Sequence, residues 1–180
     1  LTLDFGLGNC LRNTLGEAYG QDDLGRARAG ASTVFFMLCA VTALLAAVGL
    51  PLLHLAPWER VFNAPAEVAP DQLRLTVGIA LVAVLWRLPL SIAQIVYSGL
   101  QEGYRAEIWN FSGNGVSLVL LWLAGERASL PVLALAMAGG PLGAGLLNAL
   151  YLFFWEKPWL RPSLRLVEPR ALWPALRMGW

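Results

Sequence analysis

The sequence predicts an all-α polytopic membrane protein, with four full transmembrane helices and the end of a preceding one. Three observations carry this expectation. Apolar stretches at 32–55, 75–99, 108–124 and 130–155 alternate with short polar links. Hydrophobic residues make up 57% of the chain and charged residues 14%, against about a quarter charged in soluble domains. Lys and Arg gather on alternate links, as the positive-inside rule expects of a multi-pass protein.

Residues 1–31 read as the end of a transmembrane helix and a cytoplasmic loop. Gly20-Gln21-Asp22-Asp23 makes a turn there, and Asp23 suits the N-cap of a helix starting at Leu24. That helix continues into the first full span, 32–55, where Pro51 is expected to kink its far end. A periplasmic loop, 56–74, carries Pro57, Pro65 and Pro70. The second span, 75–99, would cover about 37 Å as a helix, enough for a hydrocarbon core of about 30 Å. A cytoplasmic link, 100–107, leads to the third span, 108–124. A tight periplasmic turn, 125–129, leads to the fourth, 130–155. Residues 156–180 form a basic, tryptophan-bearing amphipathic segment leading to a next helix. Trp58, Trp109, Trp122, Trp155 and Trp159 fall near span ends, where an interfacial belt would place them. No signal peptide precedes the first helix, and the chain opens on Leu1, so a piece of a longer protein is expected.

Orientation follows from the basic residues. Arg12, Arg26, Arg28, Arg105, Lys157, Arg161, Arg165, Arg170 and Arg177 lie on one side. Arg60, Arg74 and Arg127 lie on the other. The richer side is assigned to the cytoplasm.

Arg87 sits midway along the second span. An arginine at that depth costs roughly 2.5–3.5 kcal/mol on insertion scales, so it turns toward protein or a wet cavity. Arg87, Ser91, Gln94, Ser98, Gln101 and Arg105 recur at helical spacing, and Ala83 and Ala80 continue the same face. This stripe either lines a cavity or packs against neighbouring helices, with Arg87 paired to a carboxylate elsewhere. Pro89 beside it frees a backbone carbonyl that needs another partner. Asn110, Asn114 and Ser117 make a shorter polar face on the third span, suited to sugar hydroxyls or to bonding a neighbouring helix. Arg87, Ser91, Gln94, Asn110 and Asn114 are therefore the candidate substrate-binding residues. In the fourth span, Gly139 and Gly143 form a G-x-x-x-G contact motif. Gly139, Gly140 and Pro141 are hinge candidates. Asn148 and Tyr151 share a face below them and read as an interfacial pair.

Several chemistries are excluded. Net charge is +1, leaving no footprint for nucleic acid. Cys10 and Cys39 have no metal-ligand spacing, and the sole histidine, His54, reads as interfacial. Gly6-Leu7-Gly8-Asn9 has Leu11 where a dinucleotide fingerprint needs its third glycine. Paired carboxylates and a nucleophile elbow are missing, so no enzyme activity, metal or cofactor is expected. No acidic residue lies deep in the four spans, although Asp4 is near the start, which disfavours a carboxylate ion site within them.

The N-terminal block reads Leu3-Asp4-Phe5-Gly6-Leu7-Gly8-Asn9, Leu11-Arg12-Asn13, Glu17-Ala18-Tyr19-Gly20, then Asp23 and Ala27. It resembles the D-x-G-x-G-N-x-L-R-N…E-A…D pattern of oligosaccharide flippases. These are the Wzx-like polysaccharide exporters of the multidrug/oligosaccharidyl-lipid/polysaccharide (MOP) transporter superfamily. Ser98-Gly99-Leu100-Gln101-Glu102-Gly103-Tyr104…Trp109 resembles the family's link between its fourth and fifth helices, and Trp58-Glu59-Arg60-Val61-Phe62-Asn63 is also similar. Leu172-Trp173-Pro174-Ala175-Leu176-Arg177-Met178-Gly179 resembles the amphipathic lead-in to the seventh helix. Cys10 and Pro174 depart from the pattern.

The resemblance implies the end of helix two through helix six of a MATE-like six-helix bundle, in the bacterial inner membrane. It implies a flippase that moves a lipid-linked oligosaccharide, a polyprenyl pyrophosphate glycan, by alternating access in polysaccharide or lipopolysaccharide biosynthesis. Membrane lipids are its other partners, and an ion gradient is a candidate energy source. The alternatives are a multidrug cation antiporter of the same superfamily or a membrane-embedded glycan polymerase or transferase.

Overall fold

A computed structural model describes residues 7–65, 68–125 and 128–167. Asp4, Arg127, and the amphipathic segment with Arg170, Trp173, Pro174 and Arg177 lie outside the described residues. The described chain is helical: α1 (Leu7–Gly20), α2 (Leu24–Leu55), the short α3 (Trp58–Val61), α4 (Pro70–Leu90), α5 (Ile92–Gly99), α6 (Gly103–Ala124) and α7 (Leu130–Tyr151). One π turn, Leu152–Glu156, and two 3₁₀ turns, Pro158–Leu160 and Leu164–Leu166, follow.

Among the described residues, three stretches are long and apolar enough to cross a membrane: Leu24–Leu55, Pro70–Gly99 and Leu130–Glu156. The 22 residues of α6 would cover about 33 Å, but its hydropathy is diluted by Asn110, Ser112, Asn114 and Ser117. Large apolar side chains stand uncovered along these helices, among them Leu44 of α2, Phe111 and Leu118 of α6, and Leu147 of α7. In water such faces would associate. In a bilayer they meet chains as apolar as themselves. The protein is a multi-pass membrane protein with an all-helical fold.

Helices α2, α4, α7 and α6 stand side by side in that order, and α5 reaches beneath them to α1 and α6. The connections Gly20–Leu24 and Gly99–Gly103 and the turns after α7 lie at one end, called basal here. Leu55, Pro70, Ala124 and Leu130, the helix ends on the other side, lie at the distal end. The core gathers at the basal end. Leu11, Leu15 and Ala18 of α1 meet Ala27, Ala31 and Leu38 of α2, together with Ile92, Val96 and Tyr97 of α5. Gly99 lets α5 approach α1: a Cβ there would lie 3.1 Å from the Arg12 Cα and 3.0 Å from the Leu15 Cβ.

The α1–α2 corner follows from local chemistry. Asp22 takes the left-handed conformation at φ 56°, and Asp23 caps α2 by accepting from the Arg26 amide at 2.9 Å. Glu17 meets Arg26 across the turn at 3.2 Å. The residues Glu17-Ala18, Asp23 and Ala27, singled out in the sequence, thus hold this corner together.

Prolines inside the helices each release a carbonyl four residues earlier. Pro89 frees the Leu85 carbonyl, and the Thr42 hydroxyl of α2 donates to it at 3.3 Å, sharing with Leu38 at 2.7 Å. Pro141 frees the Met137 carbonyl, and the Ser117 hydroxyl of α6 donates to it at 2.9 Å. Neighbouring helices supply the hydrogen bonds that the bilayer cannot. Backbone helicity continues through Pro51 to Leu55 and through Pro141 to Tyr151.

Candidate functional site

A cavity of about 380 Å³ opens between α4, α6 and α7. Each helix contributes one face at helical spacing. From α4 and α5 come Ala80, Ala83, Arg87, Ser91 and Gln94; from α6, Trp109 and Asn110; from α7, Ala134, Ala138, Pro141, Gly145 and Asn148. Small residues on α4 and α7 leave the space that larger side chains would fill.

Of the five sequence candidates, Arg87, Ser91, Gln94 and Asn110 come together here. Asn114 does not: it is exposed and outside the cavity lining. Arg87 is exposed and, among the described residues, forms no ion pair; it is also the only charged side chain of that lining. Gln94 Nε2 donates to Asn110 Oδ1 at 2.8 Å, tying α5 to α6. Ser91 donates back to the Leu88 carbonyl at 2.7 Å, which settles the helix break that follows Pro89.

The six-residue stripe expected from Arg87 to Arg105 is not one face. The helix breaks at Ser91 and ends at Gly99, and Gln101 turns left-handed at φ 60°. Ser98 is exposed and bonds the Gln94 carbonyl at 2.8 Å. Arg105 belongs to α6 and to a separate ion cluster at the basal end. There it pairs with Glu102 at 3.4 Å and with Glu156. Lys157 reaches Glu102 at 2.9 Å, and the Tyr97 hydroxyl donates to Glu156 at 2.6 Å. The cluster pins the α5–α6 connection to the end of α7.

The glycine candidates divide. A Cβ on Gly140 would sit 2.2 Å from the Gly113 carbonyl oxygen and 2.6 Å from Ser117 Oγ. Gly139 and Gly143 have nothing within 4 Å of such an atom. The close α6–α7 contact therefore runs through Gly113, Gly140 and Ala144, one residue along from the G-x-x-x-G expected at Gly139 and Gly143. Pro141 lines the cavity beside this contact.

Two polar or aromatic cavity residues stand outside the candidate set. Trp109, expected in an interfacial belt, lines the cavity and packs on Tyr151 with ring centroids 6.2 Å apart. Asn148, expected to pair with Tyr151, is 3% exposed, and its Oδ1 has no hydrogen-bond partner. The signal was present: Ala134, Ala138, Pro141, Gly145 and Asn148 repeat at spacings of 4, 3, 4 and 3. No group of three or more His, Cys, Asp or Glu residues suited to a metal occurs among the described residues.

No protein-family model and no curated protein matches the chain. Solved structures share its fold. One shows the inward-facing conformation of a multidrug resistance MATE family transporter of the MOP superfamily, at 20% identity and a TM-score of 0.77, covering 98% of this chain and 40% of that one. Another is a MOP superfamily transporter from Pyrococcus furiosus whose binding pocket has reverse polarity, suggesting a different function. It is 18% identical, with a TM-score of 0.73, covering 98% of this chain and 39% of that one. The chain spans about two fifths of the length of these transporters, and its fold is MATE-like.

Proposed function

We propose that the chain is part of a transporter that flips a lipid-linked oligosaccharide across the bacterial inner membrane by alternating access. The observation that carries this reading is the charge of the cavity. Arg87 is the only charged group in its described lining, and it is positive and without a carboxylate partner among the described residues. A pyrophosphate would supply the missing anion, with an attraction that strengthens away from bulk water. Gln94, Asn110 and Ser91 in the same cavity offer hydrogen bonds to hydroxyls. The polyprenyl tail can stay in lipid along the uncovered apolar faces. The N-terminal resemblance supports the same class.

A second reading, a multidrug cation antiporter, draws on the solved MATE neighbour and on the apolar lining of Met137, Leu142 and Trp109. Arg87 opposes it, because a cationic drug would be repelled. The Pyrococcus furiosus neighbour illustrates that pocket polarity varies on this fold.

Deleting the full gene separates the two. Under the flippase reading a surface polysaccharide is lost, its lipid-linked repeat unit accumulates on the cytoplasmic face, and drug susceptibility is unchanged. Normal surface glycan with sensitisation to cationic dyes would overturn it in favour of the antiporter. Orientation is checked separately: cysteines at Gln21 and Ser163 label from the cytoplasm, and one at Asn63 from the periplasm.

A further inference from the structure

The cavity is chemically divided along its length. Arg87 on α4 and Gln94 on α5 are seven residues apart along the chain, so on the order of 10 Å separates their levels. Asn110 meets Gln94, Trp109 precedes it on α6, and Asn148 stands one turn after Gly145, where a Cβ would lie 3.6 Å from Leu90; Arg87 is the only charged group in the described lining. Asn148 is the anomaly among them. A primary amide with a buried, unbonded oxygen is costly unless something supplies a donor, and natural structures retain few such groups.

The Gln94–Asn110 bond uses one donor and one acceptor, leaving the Gln94 oxygen and the Asn110 amino group outside that bond. With Asn148 Oδ1, this end of the cavity offers acceptors and a donor around the ring of Trp109. A hydroxyl gives and accepts at once, so it answers both kinds of group. A saturated ring bearing several hydroxyls adds an apolar face that can lie on an aromatic ring.

We infer that Asn148 and Trp109 form a specificity-determining subsite for a neutral, hydroxyl-bearing ring, separate from the anion-binding end at Arg87. This deepens the transport reading and rests on it only for the Arg87 end. The subsite rejects a ligand lacking the donor, because Asn148 would then stay buried and unpaired.

The test uses the full-length protein in nanodiscs, with other cysteines replaced and Ala138→Cys as the cavity reporter. The rate of N-ethylmaleimide labelling is measured with two probes. Octyl β-D-glucopyranoside carries the sugar without phosphate, and farnesyl diphosphate carries phosphate without sugar; n-octanol is the control. Both probes slow labelling of the parent, and octanol does not. Asn148→Leu and Trp109→Leu each weaken protection by the glucoside at least about fivefold, on the order of 1 kcal/mol, and leave protection by farnesyl diphosphate unchanged. Arg87→Ala does the reverse, and Asn148→Asp, which keeps an acceptor, retains glucoside protection. Should Asn148→Leu not fold, Asn148→Ala carries the same expectation. Equal loss of both probes in the Asn148 and Trp109 variants, or intact glucoside protection in them, overturns the subsite. Glucoside protection that depends on Asn148 in a parent indifferent to farnesyl diphosphate would uphold the subsite and sink the anionic reading of Arg87.

Discussion

Arg105 and Arg87 occupy one helical stripe in the sequence, yet the fold gives them opposite surroundings. Arg105 sits at the basal end between Glu102 and Glu156, whose side chain is 12% exposed. Lys157 and Tyr97 complete that cluster. Arg87 sits in a cavity beside amides and small residues, with no charged partner among the described residues. An arginine whose hydrogen bonds and charge are answered within the protein is a structural tie. One left unanswered at membrane depth is the one we propose for a ligand. The contrast separates what holds this bundle together from what the proposed function needs.

Ranked by loss of folded-state stability, four substitutions probe that contrast. The largest effect is expected at the α6–α7 contact that flanks the cavity. Gly140→Leu forces a side chain into the Gly113 carbonyl and Ser117, beyond the roughly 1–3 kcal/mol of ordinary overpacking. Protein abundance should collapse, whereas Gly139→Ala, with open space around it, should leave abundance and thermal midpoint unchanged. If the stretch is instead a hinge that tolerates bulk, Gly140→Leu will accumulate normally but be trapped in one access state, visible as one-sided cysteine accessibility.

Next comes the basal cluster. Glu156→Ala removes one of the two carboxylates that Arg105 pairs with and the acceptor of the Tyr97 hydroxyl. The cost should fall between the ~1 kcal/mol of a surface pair and the ~3–5 kcal/mol of a buried one. Thermal unfolding in detergent, compared with the double variant Glu156→Ala/Arg105→Ala, measures it. The double variant should cost less than the sum of Glu156→Ala and Arg105→Ala measured singly, since the pair between them is lost only once.

Thr42→Val is smaller. It withdraws the donor from the Leu85 carbonyl that Pro89 frees, worth about 0.6–2 kcal/mol for an interhelical bond in a membrane. Restoring a backbone donor with Pro89→Ala in the same chain should cancel most of the deficit.

The smallest effect on stability belongs to Arg87→Ala, because no partner is abandoned. Its thermal midpoint should match the parent while export of the glycan falls at least about tenfold, equivalent to ~1.4 kcal/mol. Arg87→Lys should keep part of the activity, since charge survives without the planar fork. A marked loss of stability in Arg87→Ala would show that this arginine is a tie after all and erase the difference from Arg105.

The sequence by itself determined the fold class. In hydrocarbon every backbone polar group must be bonded internally, so long apolar runs can only be helices there. It also determined the local events: the Asp23 cap, and the carbonyl that Pro89 must release. Helical spacing alone brought Arg87, Ser91, Gln94 and Asn110 into the candidate set that the cavity assembles. Tertiary structure decided the rest. It chose Thr42 and Ser117 as the donors to the freed carbonyls, and it split the stripe at Ser91 and Gln101. It set Gly140 rather than Gly139 against α6, and it placed Trp109 and Asn148 in the cavity with Asn114 outside. The physical reason is common to all of these. Spacing along a helix fixes the angle of a side chain about its own axis, but a step of one residue turns that angle by about 100°. What stands opposite it depends on how neighbouring helices pack, through contacts far apart in the chain.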